Sequence, residues 1–205
     1  MVRTTLSLVR GTAFAVLLAS APLYSASAYS EAAKAAKEAA PIEASIDELK
    51  PGGYVWQPER AASGPVEVVI SLPKQRAYVY RGGTLMAAST ISSGKPGNDS
   101  PVGAFQILEK KKDHRSNKYN SAPMPFMQRL NWYGVALHGG QIPGYPASHG
   151  CIRLPMGFAQ KLFGVTSVGA KVVILDQSPG SPKEALAIAR VTGPAPTAAS
   201  VRSAS

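Results

Sequence analysis

The chain of 205 residues has one cysteine, Cys151, so it cannot close a disulfide on itself. It has 12 acidic residues against 22 lysines and arginines, a formal net charge of +10, so an acidic surface is excluded. Apolar runs are short. The longest, Thr12 to Leu23, is broken by Pro22 and falls below the roughly 20 residues that a membrane-spanning helix needs. No internal repeat and no H-E-x-x-H helix is present, which removes solenoids and the zincin type of metal site.

What the chain does have begins at its N-terminus. Arg3 and Arg10 precede the Thr12 to Leu23 run, and the small residues Ala26, Ser27 and Ala28 close it. This is the pattern of a secretory signal peptide over residues 1–28, cleaved after Ala28, with no transmembrane anchor left behind and the periplasm as destination. Removing two arginines leaves a net charge of +8. A basic exported protein meets anionic envelope polymers or headgroups rather than nucleic acid. Export also singles out Cys151, because an unpaired thiol in an oxidising compartment is either buried and inert or kept for chemistry.

The ordered part reads as mostly β. "VEVVISL" from Val66 is a short apolar strand, and "QRAYVYRGGTLMAASTIS" reads as two strands about the turn Gly82, Gly83. Further strands are expected in "SPVGAFQILEKKK", in "YGVALHGG" up to His138, and in "KVVIL", Lys171 to Leu175. One core-facing helix is expected in "LPMGFAQKLFGV", with Pro155 at its start and Gly164 at its exit. Residues 29–50 lack a stripe of large apolar residues and read as an Ala-rich tether or weak helix. Residues 178–205, rich in Ala, Ser and Pro, read as a disordered tail. The domain is residues 51–177. The basic run Glu109 to Lys118 reads first as a solvated loop, with a specific binding role as the lesser alternative.

Within Leu137 to Pro155, "LHGGQIPGYPASHGCIRLP", lie the only cysteine and two of the three histidines. An imidazole or a helix N-terminus lowers a thiol pKa and makes it a nucleophile. Cys151 stands just before the expected helix, and His138 ends a strand from which a loop rich in glycine can fold back. Gly150, lacking a side chain, would let the N–H groups around Cys151 face a developing oxyanion. Three bland readings stand beside this one: a structural histidine, a core cysteine, and a zinc site of His138, His149 and Cys151, for which no fourth ligand stands nearby.

The segment "ASHGCIRLP" resembles the signature of the L,D-transpeptidase catalytic-domain family, in which Ser or Thr precedes His-Gly-Cys. "ISSGKPGNDSPVGAFQI", "MPFMQRLNWYGVALHGG" and "SVGAKVVIL" follow that family's order too, so the similarity runs from Val66 to Leu175. The resemblance implies a mainly β fold with sandwich-like sheets carrying a Cys loop, no cofactor, and peptidoglycan stem peptides as substrate. Cys151 would be the nucleophile and His138 the base, oriented by the Gly139 carbonyl. Gly150 and Cys151 N–H groups would form the oxyanion hole, with His149 and Ser148 in support. Arg153 would hold a substrate carboxylate or form a structural ion pair, and Trp132 and Tyr133 would line the substrate channel or pack in the core. The thioester would pass to an amine of a second stem, giving links between third residues. The other acceptors implied are water, a D-amino acid and an outer-membrane protein, and a non-catalytic wall-binding module is the rival of another class. One departure is visible: only nine residues separate His138 from Ser148, fewer than the family's usual interval.

Overall fold

The fold is seen in a computed structural model, which describes residues 42–192. The signal peptide expected over residues 1–28 lies outside them. Two sheets are built from ten strands, and the runs that read as apolar in sequence form the first. Its order is β1 (Tyr54–Trp56), β4 (Thr84–Thr90), β3 (Arg76–Arg81), β2 (Val66–Ser71), β10 (Lys171–Leu175), β5 (Gly103–Gln106). β2 and β10 pair in parallel, Val172 opposite Val68 and Ile174 opposite Ile70. They are apolar throughout because both faces are covered. Val68, Ile70, Val172 and Ile174 point into the main core, while Val69, Val173 and Leu175 point into a second core on the outer face. β3 and β4 form the expected hairpin, whose two-residue turn Gly82, Gly83 has φ of 56° and 83°. Both values suit a tight hairpin turn and disfavour residues with a side chain.

The second sheet has the order β6 (Glu109–Lys111), β7 (Met127–Arg129), β8 (Ala136–Gly139), β9 (Ile152–Leu154). The mainly β, sandwich-like arrangement encloses one core to which both sheets contribute, with Leu137, Ile152 and Leu154 from the second sheet. Phe158, Ala159 and Leu162 of the expected helix complete it; that helix is Met156–Val165, with Gly164 inside its last turn. Phe158 is fully buried, with Tyr54 tilted against its ring and Trp56 edge-on, both at 5.6 Å between centroids. Each such aromatic pair contributes about 0.5–1.5 kcal/mol beyond area burial, so β1 is clamped rather than merely appended.

Two segments differ from their sequence reading. The tether or weak helix expected over residues 29–50 includes a docked helix, α1 (Ile42–Asp47), whose Ile42 and Ile46 are buried in the second core. Two apolar residues four apart suffice to dock one face of a short helix. The tail expected to be disordered over residues 178–205 contains α3 (Pro182–Val191), the helix Met156–Val165 being α2. Ser181 caps α3 by accepting from the Glu184 N–H, and Ala185, Leu186 and Ala189 seal the second core beside Tyr80. The Tyr80 hydroxyl donates to the Pro182 carbonyl at 2.5 Å. The folded domain therefore reaches past Gln177, because the outer face of the first sheet needs a cover.

Candidate active site

The site follows from strand register. β8 and β9 run parallel with Leu137 opposite Ile152 and His138 opposite Arg153. Side chains alternate along a strand, so Leu137, Ile152 and Leu154 enter the core while His138 and Arg153 share the outer face. Cys151, two residues before Arg153, falls on that same side. All three line one cavity of about 380 Å³.

The cysteine loop is held by the segment between β4 and β5. Ser148 and Ala147 N–H groups donate to the Ser93 carbonyl at 2.9 and 3.0 Å, and Lys95 N–H donates to the Ser148 carbonyl at 3.0 Å. Arg153 and Ser92 exchange two backbone bonds, at 2.9 and 3.1 Å. Ser100 Oγ donates to the Gly150 carbonyl at 2.9 Å. Ser148 Oγ donates to the Cys151 carbonyl at 2.5 Å and accepts the Gly150 N–H at 3.1 Å. Gly150 has φ of 108°, which a side chain would strain. Its N–H is therefore engaged by Ser148 and not free for an oxyanion, contrary to the sequence expectation. Among the described residues, the Cys151 and His149 N–H groups donate to no protein acceptor.

His138 is 8% exposed, and its Nδ1 lies 2.9 Å from the Gly139 carbonyl. A carbonyl only accepts, so Nδ1 carries the hydrogen and Nε2 keeps its lone pair. Burial holds the imidazole below its ordinary pKa, the Gly139 contact raises it partly back, and the Arg153 charge opposes protonation further. Cys151 packs against Met124, Met127 and Ala136, and burial pushes its thiol above the ordinary value. The thiol donates to the Gly134 carbonyl at 3.3 Å. The sequence expectation of a thiolate at a helix start is thereby corrected. β9 separates Cys151 from α2, so the helix terminus does not reach the sulfur, and burial favours the neutral form of both groups.

The basic run is part of the site. Residues 112–126 fold into a hairpin-like roof, with Ser116 N–H on the Ala122 carbonyl at 2.9 Å and Met124 N–H on the His114 carbonyl at 2.8 Å. Its tip reaches the opposite wall twice: Tyr119 stacks on His149 with centroids 4.6 Å apart, and Lys118 Nζ donates to the Tyr133 carbonyl at 2.6 Å. Lys110 does different work, donating to the Phe163 and Thr166 carbonyls at the C-terminus of α2, at 2.7 and 2.6 Å. The roof residues His114, Lys118, Tyr119 and Met124, and Arg129 on the wall, line the cavity and were not singled out from sequence. Their signal was the sign of the charge in that run, which by itself does not say which way a loop folds.

Of the residues expected at the site, Cys151, His138, Gly139, Ser148, His149, Arg153 and Trp132 line the cavity. Gly150 and Tyr133 are not among the lining residues; Tyr133 is 64% exposed, its carbonyl accepting from Lys118 Nζ and its N–H donating to Asn131 Oδ1 at 3.0 Å. Arg153 forms no ion pair among the described residues. No three His, Cys, Asp or Glu side chains among the described residues converge as metal ligands, so His138, His149 and Cys151 do not make the alternative zinc site.

Two sheets thus bring the chain's lone thiol and an imidazole of fixed tautomer to one cavity. Residues 65–174 match the family model described as L,D-transpeptidase catalytic domain. The chain belongs to that family. Among solved structures, it is similar to an L,D-transpeptidase from Stackebrandtia nassauensis, at 28% identity over 58% of this chain and 60% of that one, with a TM-score of 0.52. It is also similar to an L,D-transpeptidase from Xylanimonas cellulosilytica, at 26% identity over 56% and 62%, TM-score 0.51. An L,D-transpeptidase from Mycobacterium tuberculosis shares the fold at 20% identity over 54% and 57%, TM-score 0.52. The match thus spans about three fifths of each of these relatives. No curated protein matches the sequence significantly.

Proposed function

We propose that the protein is an exported peptidoglycan L,D-transpeptidase acting in the periplasm, with Cys151 as nucleophile and His138 as general base. The observation that carries this reading is that the chain's one thiol and an imidazole with a free Nε2 line a single cavity. The thiol exchanges the Gly134 carbonyl for His138 Nε2, which takes its proton as Sγ attacks the carbonyl of the third stem residue. The oxyanion is received by the N–H groups of Cys151 and His149. The intermediate collapses to a thioester, and the imidazolium returns its proton to the departing D-Ala amine. The amine of a second stem then attacks the thioester, loses its proton to His138, and expels the thiol, leaving an amide between two third residues. Arg153 holds a substrate carboxylate and Trp132 borders the channel.

Incubation with disaccharide tetrapeptides, followed by mass measurement of protein and products, tests the reading. The expected result is a thioester on Cys151 and a dimer lighter than two monomers by one D-Ala. Tripeptide with no dimer would assign water as acceptor, and a mass exchange with added D-amino acid would assign that acceptor instead. Wall peptides bound to an outer-membrane protein only in cells with Cys151 would assign a protein amine. Full cellular complementation by Cys151→Ala would overturn the enzyme in favour of a wall-binding module.

A further inference from the structure

The carbonyl that fixes the His138 tautomer belongs to the peptide between Gly139 and Gly140, which has no side chain on either flank to restrain it. Two hydrogen bonds hold its edges: Gly140 N–H donates to the Leu154 carbonyl at 2.9 Å, and Gly139 N–H to the Pro125 carbonyl at 2.8 Å. The rest is packing. A Cβ added at Gly139 would lie 2.8 Å from Met156 Sδ and 3.3 Å from both Met156 Cε and Pro125 Cγ, so the thioether fills the space that a side chain would take. Met156 opens α2 two residues after Leu154, the register partner of Gly139 across β8 and β9. Met86, Met124 and Met127 are buried, whereas Met156 is 49% exposed. Among the described residues, the one methionine open to solvent is the one seated on Gly139.

We propose, resting on the reading of His138 as general base, that Met156 is a positioning residue and an oxidation site. Its thioether holds the Gly139 carbonyl against His138 Nδ1, and conversion to the sulfoxide by a hypohalous acid releases that carbonyl and stops acyl transfer reversibly. With hypochlorous acid, Sδ gains the oxygen atom and loses two electrons; chlorine takes them and leaves as chloride, and one proton is released. The sulfoxide oxygen is a strong acceptor, but the surface under Met156 offers it only Gly139 Cα and Pro125 Cγ, the Gly139 N–H being already engaged. The oxidised side chain therefore leaves that contact for solvent. Without its fixed acceptor the imidazole populates both tautomers, and a ring with the hydrogen on Nε2 cannot take the thiol proton.

The test uses the full chain, with Cys151 protected as a mixed disulfide while limiting hypochlorous acid is added and then released by dithiothreitol. Peptide mass mapping is expected to find the added oxygen on Met156 ahead of Met86, Met124 and Met127. Acylation by a disaccharide tetrapeptide is expected to fall about tenfold or more in kcat/KM, and the ring nitrogen NMR signals of His138 to change from a single Nδ1–H form to a mixture of tautomers. A methionine sulfoxide reductase should restore both. Met156→Leu, close in volume and without sulfur, should acylate within about threefold of the parent and keep its rate after the oxidant, while Met156→Gln should imitate the oxidised chain. An oxidised Met156 with the parent's acylation rate and His138 tautomer would overturn the inference. So would an equal loss in Met156→Leu, which puts the damage elsewhere, or a loss matched by unfolding in urea, which makes Met156 a structural residue only. If no stem acylates the untreated protein, the transpeptidase reading falls, and the tautomer signals still decide whether Met156 places the Gly139 carbonyl.

Discussion

Cys151 and His138 each shift away from an ion pair, the thiol upward and the imidazole downward, both chiefly through burial. Two measurements follow. Alkylation of Cys151 by iodoacetamide is expected to accelerate with pH through pH 9 without a plateau near pH 6, since the thiolate forms only above the ordinary thiol range. The acid limb of kcat/KM is expected below about pH 6.5, the ordinary imidazole value, because a base with lowered pKa stays unprotonated further into acid. Ser148 is the third residue with a sharp expectation. Ser148→Ala leaves the buried Gly150 N–H without its acceptor and frees the Cys151 carbonyl. It should cost about 1–3 kcal/mol in urea unfolding and lower acylation more than tenfold. At this scale the sequence was largely readable, since a lone cysteine and a histidine beside a glycine-rich loop are chemically rare together. The engagement of Gly150 N–H and the helix-free setting of the sulfur were not readable. Both depend on Ile152–Leu154 being a strand in register with β8, which three residues do not announce.

Elements carry the errors of the sequence reading. α3 has only Leu186 as a large buried residue, so its amphipathic pattern is faint, yet Pro182 at its start and the Ser181 cap are its legible marks. Ending the chain at Gln177 removes the Pro182 acceptor of Tyr80 and uncovers Val173 and Leu175. That truncation is expected to cost at least about 3 kcal/mol by chemical denaturation, whereas a disordered tail would cost nothing. The roof was legible as charge and illegible as position, because a loop of lysines looks alike whether it faces solvent or a cleft. Lys110 separates the two cases: its ammonium caps α2 through Phe163 and Thr166 while the ring of Phe163 lies 4.3 Å away. Lys110→Ala should therefore lower stability by about 1 kcal/mol in urea unfolding.

For the whole molecule, the buried histidine makes stability a function of pH. His138 and His114 both have folded-state pKa values below the ordinary one, burial being the leading cause in each. Above about pH 6.5 folded and unfolded chains carry the same imidazole charge. Below it the unfolded chain binds protons that the folded chain refuses, so stability is lost as pH falls toward the folded values. Urea midpoints are expected to drop between pH 7.5 and pH 5, and His138→Gln is expected to flatten that drop.

The two helices α1 and α3 close the second core on the far side of the first sheet, while the cavity opens on the outer side of the second. The first and last described helices therefore pack away from the cavity lining. A label attached at Thr192, at the end of α3, is expected to leave the iodoacetamide reaction of Cys151 unchanged, because α3 packs on the second core and contributes nothing to the cavity lining.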